Sequence, residues 1–313
     1  MIGDGKRIVR LGFSLGRGGA HTARTMMLDD LEALLDAVSD PAALHKEYRE
    51  AVVEENCLGK RSGSNRRNTF GFLSSLYALD PAVVLFRALR FFWSRDSEGR
   101  PLLALLCAYA RDAVLRSTAG FILGIPEGST VTREQTEGCL GEAFPGRFSR
   151  ATLKSTAQNV NCTWTRAGLL IGSARKTRVR AKATAGSLAY AAFIGYLAGE
   201  RGGFMLTSEY ARLLEISFDE AADLASEASG AGWMIFNRAG EVVEARFPKL
   251  ITEEEMEGSR EPEGARVMEG SREPEGSREP EGSRVMERSM ERGKSRESGK
   301  PRETGRKEET VGE

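Results

Sequence analysis

Residues 149–182 read SRATLKSTAQNVNCTWTRAGLLIGSARKTRVRAK. Ser149 is an N-cap residue type, and Gly168 is suited to the left-handed position that ends a helix. Between them Leu153, Ala157, Val160 and Trp164 recur at spacings of 4, 3 and 4, one apolar helical face. The other side carries Arg150, Lys154, Gln158, Asn161 and Thr165, followed by Arg166. An apolar triplet, Leu169-Leu170-Ile171, then precedes a tip bearing Arg175, Lys176, Arg178, Arg180 and Lys182. Cap, amphipathic helix, short strand and basic tip is the order of a helix-turn-helix or winged-helix reader.

The surrounding charge sharpens this reading. The 57 residues from Ala143 to Gly199 hold nine Lys or Arg and no Asp or Glu, in a chain that balances 45 against 45. A one-sign stripe is the footprint expected for a polyanion. Arg and Lys suit phosphates and guanine edges, whereas Gln158 and Asn161 suit adenine edges. The bland alternative is a solvated helix followed by a basic loop.

Downstream, 187–198 and 208–214 read as helices. Ser217 and Glu220 form a capping box opening a helix to about residue 229, and WMIFN with EVVEARF forms a hairpin. These elements close the C-terminal domain as a winged-helix-like unit. Upstream, a helix from Pro41 to about Asn56, a polar turn at Gly59 and a second helix capped by Ser62 or Ser64 follow a helix-turn-helix order. Lys60, Arg61, Arg66 and Arg67 would be its phosphate-contacting patch; an αα-hairpin with a basic corner is the alternative. The fold expected is mainly α, with helix-turn-helix or winged-helix elements and a short C-terminal β-hairpin. The expected organisation is a flexible Gly-rich N-terminus (1–22), an N-terminal helical domain (23–145), a C-terminal winged-helix-like domain (146–252) and a disordered tail (253–313).

The tail is built on a near-verbatim EGSREP repeat without aromatic residues, a composition that cannot bury a core. It holds 13 basic and 18 acidic residues, which leaves 32 against 27 in residues 1–252. Cys57, Cys107, Cys139 and Cys162 are widely spread and contain no C-x-x-C, so a reducing, cytoplasmic setting is expected. The uncharged run Ala183–Gly199 is short and diluted by Ala and Gly, which favours a buried helix over a membrane span. Catalytic patterns are missing: two histidines, His21 and His45, stand outside any Cys/His cluster, and neither G-x-S-x-G nor H-E-x-x-H occurs. No cofactor, no metal and no enzymatic activity are expected.

Four blocks carry a family resemblance: ENCLGKRS, FSRATLKSTAQNVNCTWTRAGLLIG, LTSEYARLLEISFDEAADLASEASGAGWMIF and GEVVEARF. In this order they resemble the BrxA-type proteins of bacteriophage-exclusion (BREX) systems, over about residues 24–250 and without the tail. The resemblance implies a largely helical protein with helix-turn-helix or winged-helix elements. It also implies double-stranded DNA binding and a place among other proteins of a phage-defence complex. The positions matching the family's basic helices are Lys60, Arg61, Arg66, Arg67, Arg150, Lys154 and Arg166. Two other readings remain open, an interaction scaffold and an RNA-binding module. The absence of aromatics from the basic tip favours duplex over single strands.

Overall fold

The computed structural model describes residues 2–258 except Glu241. The chain is mainly helical, and the described residues hold 14 α-helices and two small antiparallel sheets, the second of them a C-terminal hairpin. In chain order the first helices are α1 (Ile2–Leu11), α2 (Leu28–Ala37), α3 (His45–Val53), α4 (Gly63–Tyr77), α5 (Val84–Trp93), α6 (Arg100–Arg111), α7 (Ala113–Arg116) and α8 (Ala119–Gly124). There follow β1 (Thr130–Val131), α9 (Arg133–Ala143), α10 (Arg150–Arg166), β2 (Leu170–Ile171) and β3 (Lys176–Arg178). The remainder is α11 (Ala185–Ala198), α12 (Glu209–Arg212), α13 (Phe218–Gly230), β4 (Ile235–Ala239), β5 (Val242–Arg246) and α14 (Glu253–Gly258).

Helices α6 and α11 form the centre. Every residue from Leu102 to Ala110 is buried, as is every residue from Gly186 to Gly195. A helix apolar all round has no solvent face and must be enclosed by neighbours. Helix α6 packs on α4 and α5 and also on α10 and α11. The uncharged run at Ala183–Gly199 is therefore a core helix, and among the described residues no helix is long and apolar enough to cross a membrane. Gly186 permits a close approach here: a Cβ at that position would lie 2.3 Å from the Asp96 carboxylate, which accepts from the Thr184 hydroxyl at 2.5 Å.

The expected division at residue 145 runs through a region of shared packing. The described residues fall in one compact unit, because α6 contributes to a core shared with α10 and α11. The Gly-rich start is likewise ordered as α1. Leu11 and Phe13 are buried, and Phe13 meets the Tyr210 ring edge-on at 6.1 Å. The glycines were legible in sequence; the distant aromatic partner was not.

Residues 130–178 form a winged helix. Strands, helices and wing follow the order β1-α9-α10-β2-β3, and the sheet order is β1-β3-β2. Thr177 of β3 pairs with Thr130 on one side and Ile171 on the other. Thr132 and Gln135 form the capping box of α9, and Ser149 accepts from the Thr152 N–H to start α10. Gly168 has φ +85° and ends α10 as expected. Helices α12 and α13 with the β4–β5 hairpin form the second, winged-helix-like unit, and Ser217 and Glu220 make the expected capping box.

The expected EGSREP-tail disorder lies outside the described residues from 259 onward. Its first six residues are within them and form α14. Glu255 pairs with Arg87 at 2.7 Å, and Met256 is buried. Burying a Met side chain stabilises by about 1.5–3 kcal/mol. Truncation after Thr252 should therefore lower the thermal midpoint relative to truncation after Gly258, measured by calorimetry on both; equal midpoints would show that α14 contributes nothing.

Candidate nucleic-acid interface

Helix α10 buries Ala157, Val160 and Trp164 and turns Arg150, Lys154 and Gln158 outward. These three are spaced four residues apart, so they form one stripe about 12 Å long. None of them has an ion-pair partner among the described residues. The Trp164 indole N–H donates to the Thr118 hydroxyl at 3.0 Å, which fixes the helix's rotation and hence which side faces out.

The wing places Arg175 at its exposed tip. Gly172 has φ +96°, and a Cβ there would lie 2.2 Å from the Arg175 carbonyl, so this turn requires glycine. Lys176 donates to the Gly172 carbonyl at 2.6 Å, which closes the wing on itself.

Two expected contact residues are structural instead. Asn161 is 4% exposed, and its side-chain oxygen accepts from the Thr136 hydroxyl at 2.9 Å, joining α10 to α9. It lies three residues after Gln158 rather than four, which rotates it toward the core. Arg178 is 1% exposed and donates to the Ile122 and Leu169 carbonyls at 3.0 and 3.1 Å. It also pairs with Glu215. Its neighbours Thr177 and Val179 are half-buried, whereas its own side chain is enclosed and satisfies buried backbone oxygens.

The remaining cations divide by partner. Arg166 pairs with Asp29, Lys182 with Glu98 at 2.6 Å, and Arg180 approaches Glu127 at 3.7 Å. In the upstream patch Lys60 pairs with Asp30 at 2.7 Å. Arg66 donates to the Val53 and Glu54 carbonyls, at 2.9 and 3.4 Å, where α3 ends. Arg61 and Arg67 are exposed and unpaired among the described residues.

The two basic patches, far apart in sequence, meet across a strap formed by residues 17–29. At one end Arg147 donates to the Arg17 carbonyl. In the middle Asn159 donates to the His21 carbonyl at 3.1 Å, and at the other end Asp29 meets Arg166. On its far side the strap touches α4: Tyr77 donates to the Met26 carbonyl, and the Arg24 guanidinium lies 5.0 Å over the Phe72 ring. A depression of about 430 Å³ is bordered by Arg24, Asp29, Lys60, Asn65 and Arg166, bringing α4 and α10 to one place. Arg17 and Arg24 thus join a surface that sequence reading did not assign them. Nothing in GFSLGRGG marks it as lying along a helix that begins more than 130 residues later.

A buried cluster holds the strap. His21 Nδ1 lies 2.8 Å from Asp112 Oδ2, and His21 Nε2 lies 2.9 Å from the Thr163 hydroxyl. That hydroxyl also accepts from the Met26 N–H at 2.9 Å. Asp112 accepts from the N–H groups of Val114 and Leu115, capping α7. A hydroxyl, an imidazole and a carboxylate in this order match the wiring of a nucleophilic triad. All three residues are at most 1% exposed, so no substrate reaches the hydroxyl, and the cluster is a structural tie. Among the described residues no group of three or more His, Cys, Asp or Glu has metal-holding geometry.

The second winged-helix-like unit carries opposite charge. The exposed residues of α13 include Asp219, Glu220, Asp223 and Glu227 and no cation. Phosphate approaching this helix meets like charge. Comparison of the chain with protein families, with curated proteins and with solved structures finds no match.

Burial alone would push the Asp112 carboxyl up, but the His21 hydrogen bond and charge, with the Leu115 and His21 backbone N–H groups, bring it below its ordinary value. Its contribution to stability is therefore present above the usual aspartate range and is lost as pH falls through that lowered value. Asp112→Asn should cost about 1–3 kcal/mol at neutral pH, as expected when a buried hydrogen-bond partner is mismatched. It should also flatten the acid limb of the stability–pH curve. Urea titrations of both proteins between pH 2 and 7 check this, and parallel curves would remove Asp112 from the acid response.

Proposed function

We propose that this chain is a non-enzymatic double-stranded DNA-binding protein that docks α10 in the major groove and its wing against the backbone. The observation that carries the reading is the outer stripe of α10. In a winged helix this is the reading helix, and here it presents Arg150 and Lys154 without acidic partners. Arg175 at the wing tip, Arg61 just before α4 and Arg67 within it supply further phosphate contacts. Arg17 and Arg24 extend the same positive surface. Lys60, Arg166, Arg180 and Lys182 are held by carboxylates and contribute less, because a phosphate must first displace a partner. The resemblance of the quoted sequence blocks to BrxA-type proteins supports a place in a cytoplasmic phage-defence complex with other proteins. The acidic α13 favours a protein contact for the second winged-helix-like unit, so scaffolding and DNA binding use separate faces.

The test is a salt titration of duplex binding. Each phosphate contact contributes about 0.9 to the slope of log affinity against log salt. Arg150→Ala/Lys154→Ala should lower that slope by about 2 and weaken all sequences alike. An unchanged slope in a folded double variant would overturn the docking of α10. Gln158→Ala should cost about 1–3 kcal/mol on a preferred sequence and little on random duplex if Gln158 reads a base edge. Asn161→Ala should instead lower the thermal midpoint, by loss of its buried contact with Thr136; a normal midpoint with altered sequence preference would return it to the interface.

A further inference from the structure

A cavity of about 520 Å³ opens between the C-terminal end of α2, helix α5, the start of α6 and the Lys249–Leu250 segment. Its size falls within the range of small-molecule sites. Arg87, Arg90, Arg95, Arg100 and Lys249 line it, against the carboxylate of Asp36. Not all of this charge is available. Arg90 donates to the Leu35, Val38 and Ser39 carbonyls at 3.3, 3.0 and 2.8 Å and so caps the end of α2. Arg87 and Arg100 each meet one carboxylate at 2.7 Å, Glu255 and Glu32 respectively. Arg95 and Lys249 have no acidic partner among the described residues, and both are exposed.

The walls are flat as well as cationic. The Arg95 guanidinium lies 3.9 Å over the Phe91 ring, and that of Arg100 lies 5.3 Å over Trp93. Planar heteroaromatic rings stack on guanidinium planes and aromatic faces alike. Leu35, Pro41 and Leu250 add apolar surface. Two donors of lining residues, the Trp93 indole N–H and the Arg90 Nε–H, are buried without a hydrogen-bond partner.

We propose that this cavity binds a nucleotide, its base stacked on the Arg95–Phe91 pair and its phosphates held by Lys249 and Arg87. Guanidinium planes suit the base, and the compact ammonium of Lys249 suits a phosphate. The site lies on residues separate from the duplex-binding surface and does not depend on it. The Glu255 carboxylate already contacts Arg87, so phosphate binding there competes with the α14 anchor.

Isothermal titration of the full chain with ATP, adenosine and pyrophosphate tests this, alongside tryptophan fluorescence. ATP should bind saturably and change the emission, more tightly than either adenosine or pyrophosphate. Arg95→Glu/Lys249→Glu should weaken ATP at least about 10-fold and leave the salt slope of duplex binding unchanged. Arg95→Ala, a milder change at an exposed position, should weaken it in the same direction. Charge reversal at Arg212, outside the cavity, should leave ATP binding intact. Absence of saturable ATP binding overturns the proposal. So does equal affinity for ATP and pyrophosphate, undiminished binding in the folded double variant, or an equal loss from Arg212→Glu.

Discussion

The contact between His21, Asp112 and Thr163 ties together parts of the chain that share no local structure. One imidazole joins the strap to α10 through Thr163 and to the start of α7 through Asp112. Shielded from water, each of these hydrogen bonds is electrostatically stronger than at the surface, and each unmade one would be costly. Gly19 leaves room for the cluster, since a Cβ there would lie 2.0 Å from the Asp112 carboxylate. With the strap held, α4 and α10 face the same depression.

Charge on this surface is sorted by partner rather than by sequence neighbourhood. The acid-free segment obtains its counter-charges from elsewhere: Asp29 for Arg166, Glu98 for Lys182, Glu127 for Arg180 and Glu215 for Arg178. Among the described residues Arg147 just before α10, Arg150 and Lys154 at its start, and Arg175 and Lys176 in the wing have no carboxylate partner. Exposed ion pairs contribute little to stability, so most of these pairings shape the surface potential more than they hold the fold. The Arg178–Glu215 pair differs, because Arg178 is buried and answers backbone oxygens as well. The two winged-helix-like units consequently present different electrostatic faces, basic on α10 and acidic on α13. Similar backbone order thus presents a basic helix in one unit and an acidic helix in the other.

Local signals were legible in the sequence wherever a few neighbouring residues decide the outcome. Ser149 and Ser217 cap the helices they were expected to cap, and Gly168 ends α10, because capping depends on atoms within one turn. The apolar periodicity of Ala157, Val160 and Trp164 identified the buried face of α10, and the alternating runs near the C-terminal end identified the hairpin. The local concentration of positive charge was equally plain. Tertiary structure alone decided which cations stay free, because an arginine's partner can lie more than 100 residues away, as Asp29 does for Arg166. It also decided that Asn161 and Arg178 turn inward, since a rotation of one position on a helix or strand exchanges core for solvent. The shared core around α6 and α11, the strap and the cavity beside Trp93 have no local signature, because each arises where segments distant in sequence close on one another.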